Sequence, residues 1–169
     1  QGFGTRERAQ GSKGEALGMK GKATRLREGS ALPQNDRVAG RVEFAFVAAV
    51  ALGSALGGVA RYLLNALLSR SIGETFPWGI LVVNVLGSFL VGLVATVTGP
   101  DGRVLVNPVT RQFWLVGIFG GFTTFSTFGY ETMHLLDRGA IGSAALNVGA
   151  NVVLGLLAAG LGWLAARAM

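Results

Sequence analysis

The stretch that decides the fold is Gly120-Gly121-Phe122-Thr123-Thr124-Phe125-Ser126-Thr127-Phe128. It lies inside a run without charged side chains that extends from Gln112 to Tyr130. A glycine pair weakens a helix. Irregular backbone and hydroxyl groups occur at membrane depth only where protein buries them or where they line a watery path. The stretch therefore predicts a broken membrane helix with an ion or substrate site, as in a small membrane channel.

The composition of the chain predicts a membrane protein. Half of the 169 residues are hydrophobic and only 14% are charged, which is unusual for a soluble domain. Four stretches contain no Asp, Glu, Lys, Arg or His, namely residues 44–60, 75–100, 112–130 and 139–166. Each has about the length that spans a hydrocarbon core. We expect an all-α integral membrane protein with four transmembrane helices, at about 43–68, 77–97, 112–136 and 140–167, the third broken mid-membrane.

The N-terminal residues differ from this membrane domain (43–169). Residues 1–43 hold nine Lys and Arg against five Asp and Glu, and no apolar run precedes Phe44. We expect residues 1–42 to be a disordered, basic, cytoplasmic tail that contacts anionic lipid. With a single aromatic residue before Phe44, the tail gives no reason to expect nucleic acid.

The chain offers little for enzyme chemistry. It has no cysteine, and its one histidine, His134, lies near the end of the predicted third helix, where an interfacial polar residue is the common case. Metalloprotease, nucleophile-elbow and Walker patterns are missing from the sequence. We do not expect an enzyme.

Polar residues recur at helical spacing on the first two predicted helices. Arg61 lies about two turns inside the first helix, where it either reaches the interface or attracts anions in a vestibule. On the second helix Asn84, Ser88 and Gly92 share a face because they are four residues apart. A membrane amide either holds helices together or lines a pore, and the sequence leaves both readings open.

The fourth helix carries a similar stripe, with Asn147 and Asn151 four residues apart. These two amides form either a polar track for an ion or a structural hydrogen-bonded seam between helices. Their spacing alone does not separate the two interpretations.

Three blocks of the sequence resemble the Fluc/CrcB fluoride channel family, in that family's order. They are Gly57-Gly58-Val59-Ala60-Arg61-Tyr62, Val83-Asn84-Val85-Leu86-Gly87-Ser88-Phe89, and Gly117 through Phe128. The resemblance covers about residues 44–169, and the string from Gly120 to Phe128 is its most specific part.

The resemblance implies an antiparallel, dual-topology dimer with two fluoride pores and a central structural sodium ion. It places the backbone carbonyls of Gly120 and Thr123 on the sodium and Arg61 at the vestibule. The implied pore residues are Asn84, Ser88, Phe125, Ser126, Thr127 and Phe128. On the fourth helix, Asn147 and Asn151 stand where the family often has a tyrosine and a serine.

The function implied is passive, fluoride-selective export across the plasma membrane of a prokaryotic cell, which protects the cell from fluoride. Neutral amide and hydroxyl donors suit a pore, because a fixed cation in the narrow region could bind the anion too tightly to let it leave. We expect a homodimer or, because Arg37 and Arg41 unbalance the loop charges, a heterodimer with an inverted paralogue. The rivals are a proton-coupled multidrug exporter, which needs a carboxylate inside the membrane, and a purely structural membrane protein.

Overall fold

The computed structural model describes the backbone of residues 34–169 and the side chains of residues 39–169. The chain divides into two units, residues 1–43 and 44–169. Most of the first unit, and with it most of the predicted basic tail, lies outside the described residues. Every residue of the site described below belongs to the second unit.

Three helices of the described region are long and apolar enough to cross a membrane. Helix α1 spans Gln34–Ile72, α2 spans Trp78–Val97, and the last helix of the chain spans Ile141–Ala168. The ends of α2 and of the last helix agree within one residue with the predicted 77–97 and 140–167. Helix α1 begins at Gln34 rather than near residue 43, so residues 34–42 are helical where the sequence predicted a disordered tail. The physical reason is that extending a formed helix needs no new nucleus.

The predicted third helix is a series of shorter elements, here called the third segment. It comprises α3 (Pro108–Gln112), a π-helix (Phe113–Phe119), α4 (Gly120–Phe122) and α5 (Phe125–Asp137). The last helix of the chain is therefore α6. The sequence predicted an interrupted helix over residues 112–136. In the structure a π-helical stretch comes first, and two extended residues, Thr123 and Thr124, separate α4 from α5.

Close contact between α2 and α6 forms the centre of this unit. A Cβ atom added to Gly92 would meet the carbonyl oxygen of Ala159, and one added to Gly162 would meet that of Phe89. Val83 of α2 and Ala144 of α6 are also buried. Small residues let helix backbones approach closely where lipid gives no hydrophobic drive for association.

Helix α1 packs against the π-helix in the same way. A Cβ atom on Gly53 would lie 2.6 Å from the carbonyl oxygen of Phe113 and 2.8 Å from the Cα atom of Gly117. A Cβ atom on Gly57 would collide with the carbonyl oxygen of Ile118. The two glycines thus place α1 directly against the backbone that precedes the break.

The outer surface of the unit is strongly apolar. Large hydrophobic side chains are exposed along α1 and α6, including Leu52, Leu56, Val59, Leu63, Leu67, Val152, Val153, Leu156, Leu157 and Leu161. An apolar surface of this extent marks a membrane or partner contact rather than a face for water. The structure agrees with the predicted all-α membrane class.

Candidate functional site at the interrupted third segment

The backbone is extended at two successive residues between α4 and α5. Thr123 has φ −77° and ψ 157°, and Thr124 has φ −152° and ψ 118°. Both residues lie in the nine-residue stretch with which the sequence analysis began. Main-chain groups that would be bonded in a continuous helix are released here and need other partners.

Asn84 of α2 supplies partners to the main chain of Thr124. Its Oδ1 accepts from the Thr124 N–H at 2.9 Å, and its Nδ2 donates to the Thr124 carbonyl oxygen at 3.2 Å. The amide side chain thus pairs with one residue in the way a neighbouring strand would. The break is therefore held by a residue forty positions away, and Asn84 has a structural role besides any role in a pore.

The hydroxyl of Thr124 caps the beginning of α5. Its Oγ1 accepts from the Thr127 N–H at 3.2 Å and donates to the Thr127 Oγ1 at 3.0 Å, and it lies 3.3 Å from the Ser126 Oγ. This is the usual geometry of an N-cap, in which the side chain accepts from the third helical residue. Thr124 is buried, with only 7% of its surface exposed. Sequence reasoning did not single it out, although a threonine just before a helix start is the recognised signal.

The two carbonyl groups expected to hold sodium share one property. The Thr124 N–H, which would bond to the Gly120 carbonyl in a continuous helix, donates to Asn84, and the Thr127 N–H, which would bond to the Thr123 carbonyl, donates to Thr124 Oγ1. Both carbonyl oxygens therefore lack their ordinary helical donor. Carbonyl oxygens of an unwound helix are common ligands of alkali cations, so Gly120 and Thr123 fit the implied sodium ion.

An open cleft of about 390 Å³ lies beside the break. Its walls come from α2, from the third segment and from α6, and they carry no charged side chain. The lining residues are Asn84, Ser88, Val91, Thr123, Thr124, Phe125, Phe128, Asn151, Val152 and Ala159. The structure thus brings together five of the predicted pore or track residues, namely Asn84, Ser88, Phe125, Phe128 and Asn151.

The two predicted pore phenylalanines are neighbours at this cleft. Their ring centroids are 5.4 Å apart and the rings are tilted by 54°. Phe128 is buried at 8% exposure, whereas Phe125 is 84% exposed. One ring is therefore held in the subunit while the other projects from its surface.

The hydroxyl of Ser88 has no hydrogen-bond partner among the described residues, although it lines the cleft. Other membrane-helix hydroxyls in this part of the chain, on Thr96 and Thr98, donate to the carbonyl one turn earlier. The Ser88 hydroxyl is therefore free to donate a hydrogen bond to an acceptor inside the cleft.

The amides of α6 connect the cleft to α5. Asn151 accepts from Asn84 Nδ2 at 2.9 Å and donates to the Asn147 Oδ1 at 2.9 Å. Asn147 is fully buried and donates to the Thr132 Oγ1 at 2.9 Å. These bonds show a hydrogen-bonded seam between helices, one of the two readings that the sequence left open. Thr132 was missed by sequence reasoning, because no pattern along the chain pairs it with Asn147.

Several predicted residues lie outside the cleft wall. Arg61 is half-buried on α1, and Ser126 and Gly120 are exposed. Thr127 is half-buried and Asn147 is buried. The structure brings Ser126 and Thr127 to the same cap as Thr124, whereas it does not place Arg61 at the cleft.

The fold and the site together define a class: a helical membrane protein in which a broken segment, an amide seam and two phenylalanines surround an uncharged cleft. The sequence model of the family described as "CrcB-like protein, Camphor Resistance (CrcB)" matches residues 48–163. This chain belongs to that family.

Bacterial relatives support the same assignment. A protein of Opitutus terrae named "Fluoride-specific ion channel FluC" is 52% identical over 117 residues, which cover 69% of this chain and 89% of that protein. A protein of the same name in Paramagnetospirillum magneticum is 51% identical, over 70% of this chain and 93% of that protein. Another in Thermus thermophilus is 47% identical, over 68% of this chain and 89% of that protein. The membrane-spanning helices and these relatives indicate a bacterial membrane protein of an ion channel family.

Proposed function

We propose that this chain is a subunit of a fluoride-selective ion channel. The observation that carries the proposal is the cleft, in which neutral amide and hydroxyl groups stand beside two phenylalanines at a broken membrane segment. Relatives between 42% and 52% identical that carry the name of a fluoride-specific ion channel support it.

The chemistry of the cleft suits a small, strongly hydrated anion. Such an ion leaves water only where close N–H or O–H donors replace its hydration shell. Ser88 offers a free hydroxyl, and the positive edges of Phe125 and Phe128 add a weak attraction. Because no lining side chain is charged, the ion is not bound too tightly to leave, which conduction requires. In this proposal Arg61 attracts anions at a vestibule, away from the narrow region.

The proposed assembly is an antiparallel dimer of four-helix subunits, with the third segment broken near the middle of the membrane. The cleft is open on one side, and Phe125 projects from it with 84% of its surface exposed. A second subunit packed there would close two such clefts into two pores. The partner is a second copy of this chain or an inverted paralogue.

The carbonyls of Gly120 and Thr123 would hold a structural sodium ion shared by the two subunits. Bound there, the ion would neutralise the partial negative charge that the break exposes. Melting of the purified protein in detergent, in sodium chloride and in choline chloride, tests this point. A higher midpoint in sodium supports it, and equal midpoints contradict it.

Export would be passive across the plasma membrane and would protect the cell from fluoride. A negative charge that leaves a cell with an inside-negative potential gains about 2.3 kcal/mol per 100 mV. The membrane potential alone therefore drives fluoride outward without a coupled fuel.

The experiment is fluoride efflux from liposomes that contain the purified chain alone, recorded with a fluoride electrode and compared with chloride efflux. Fast, fluoride-selective release is expected, and the variants Asn84→Asp and Phe125→Ile should slow it. Phe44→Ile is the matched control, because Phe44 is also exposed but lies outside the cleft wall. Release no faster than from empty liposomes would contradict the proposal for a self-sufficient homodimer, and addition of an inverted paralogue would then decide between the two dimers.

A further inference from the structure

Five hydrogen bonds connect the break to α5 in series, each donor group belonging to the residue that accepts the bond before it. The Thr124 N–H donates to Asn84, Asn84 Nδ2 to Asn151, Asn151 Nδ2 to Asn147, Asn147 Nδ2 to Thr132, and the Thr132 hydroxyl to the Phe128 carbonyl. The five distances lie between 2.8 and 2.9 Å. We call this series the amide relay. It starts and ends on the same part of the third segment and passes through α2 and α6.

In this arrangement Asn84 has no N–H left for an ion. Its two Nδ2 protons go to the Thr124 carbonyl and to the Asn151 Oδ1. A side-chain amide has only two donors. The Asn151 oxygen, 2.9 Å from Asn84 Nδ2, therefore occupies the position that an anion bound to Asn84 would take. Because both side chains line the cleft, that position faces the space through which an ion would pass.

The chemistry of the relay permits the opposite direction. A carboxamide that turns over exchanges its oxygen and its NH₂ group, and a hydroxyl can donate or accept by rotation. If Asn151 and Asn147 turn over, Asn147 Nδ2 donates to Asn151 Oδ1. The Thr132 hydroxyl, which now bonds to the Phe128 carbonyl, rotates to donate to Asn147 Oδ1. Asn84 keeps its pairing with Thr124 throughout.

The reversed relay brings two donors to one place. Asn151 Nδ2 then stands where the Asn151 oxygen stood, beside Asn84 Nδ2, so both groups can donate to one ion in the adjoining cleft. Two neighbouring N–H groups repel each other when no acceptor is near, and they are favourable beside an anion. Reversal removes three bonds, namely Asn84–Asn151, Thr132–Phe128 and the bond from Asn151 Nδ2 to the Asn147 carbonyl oxygen, and it creates two bonds to the ion. Hydrogen bonds to an ion are roughly twice as strong as those between neutral groups, so the two offset the three.

We propose that Asn151, Asn147 and Thr132 form a reversible relay that turns amide donors toward fluoride when the ion reaches Asn84. This inference rests on the proposed function, and Asn147 and Thr132 act in it as positioning residues. An ion shifts such an equilibrium only by its difference in affinity for the two states. Fluoride accepts stronger hydrogen bonds than chloride, so it favours the reversed state more and the relay contributes to selectivity.

The decisive measurement is made on the unmodified full-length chain in detergent micelles. Side-chain NH₂ signals of ¹⁵N-labelled asparagine are followed during titration with sodium fluoride, and separately with sodium chloride at equal ionic strength. Single substitutions assign the signals. Asn147 is the informative residue, because it is fully buried and does not line the cleft. We expect the signals of Asn84, Asn151 and Asn147 to shift with one common half-saturating fluoride concentration, and to stay in place with chloride.

The control signals are those of Asn65 and Asn107, which lie outside the relay and should not move. A fluoride-dependent shift at Asn84 with no shift at Asn147 would overturn the relay, since direct ion contact then suffices.

Substitution of Asn151 gives an independent test. Asn151→Asp can only accept, so it holds Asn84 in the ion-free arrangement, and fluoride efflux should fall by about tenfold or more, the effect of one lost bond of ordinary strength. Asn151→Ser keeps a group that can donate or accept, so its efflux should fall less than that of the aspartate variant. Equal efflux from the aspartate and serine variants, at equal melting temperature, would overturn the relay.

The two levels of the proposal fail in different ways. Unmodified chain that releases no fluoride, either alone or with an inverted paralogue, overturns the proposed function and the relay with it. Unmodified chain that releases fluoride rapidly while the Asn147 signal stays fixed overturns the relay alone.

Discussion

Substitution of two adjacent glycines in α1 tests how the break depends on helix packing. A Cβ atom at Gly57 would collide with the Ile118 carbonyl oxygen and lie 2.9 Å from the Phe122 nitrogen. A Cβ atom at Gly58 would have no atom within 4 Å. Gly57→Ala and Gly58→Ala therefore make the same chemical change in two different environments of one helix, and Gly58→Ala is the matched control.

The expected magnitude follows from this difference. Overpacking a close contact costs about 1–3 kcal/mol, and here the obstacles are backbone atoms that cannot rotate away. Replacement of a helical glycine by alanine is favourable by up to about 1 kcal/mol, and both variants share this gain. The two variants should therefore differ by about 1–3 kcal/mol. At about 2–4 °C per kcal/mol for a domain of this size, the melting midpoints should differ by roughly 2–12 °C.

The assay is thermal unfolding of both variants in the same detergent, together with fluoride efflux from liposomes. We expect Gly57→Ala to melt lower and to conduct more slowly, because Ile118 and Phe122 lead directly into the break. Gly58→Ala should conduct like the unmodified chain and melt at the same temperature or slightly higher. Equal melting and equal efflux for the two variants would refute the argument that α1 positions the break through backbone contact.

Three further predictions concern single side chains of the second unit. Thr124→Val removes the hydroxyl that caps the Thr127 N–H and should lower stability by about 1 kcal/mol, whereas Thr124→Ser keeps the cap and most of the stability. Thermal unfolding of the two variants checks this, and equal midpoints would contradict it. Ser88→Ala removes a hydroxyl without a partner in the described residues, so fluoride efflux should fall while the melting temperature changes little; efflux equal to that of the unmodified chain would exclude Ser88 from the ion path. The Arg167 guanidinium lies 4.2 Å from the centre of the Trp163 ring, so Trp163→Leu should lose about 0.5–1 kcal/mol and Trp163→Phe less; unchanged unfolding of the leucine variant would contradict a stabilising contact.

The sequence predicted some parts of this fold closely, for a definite physical reason. Spans α2 and α6 are continuous apolar stretches of the length that a bilayer requires, and length and hydropathy are properties of each segment alone. The weak point of the third segment was also visible, because a glycine pair followed by hydroxyl residues disfavours a continuous helix. The first helix extends beyond its apolar part to Gln34. Its polar first residues lack the hydropathy that marks a membrane helix, so the sequence did not predict them as helical.

The contacts between segments could not be predicted in the same way. A stripe of residues four apart indicates which face of a helix is polar. It does not determine how far that helix is shifted along its axis relative to its neighbour. The pairing of Asn84 with Thr124 and that of Asn147 with Thr132 depend on this relative shift. The π-helix between Phe113 and Phe119 was missed for a related reason, since its widened turn lies where α1 packs closely at Gly53.

The location of the break follows from competition for main-chain hydrogen bonds. In a continuous helix the N–H groups of Thr124 and Thr127 would bond to the Gly120 and Thr123 carbonyls. Here Asn84 takes the first and the Thr124 hydroxyl takes the second. The same side-chain bonds that stabilise the extended pair thus leave two carbonyl oxygens without helical donors. An amide on α2 therefore does two things at once: it shapes one wall of the cleft, and it frees acceptors that attract positive charge. Substitution at Asn84 should for this reason alter ion conduction and the sodium dependence of stability together, whereas Ser88, which forms no bond to the break, should alter conduction alone.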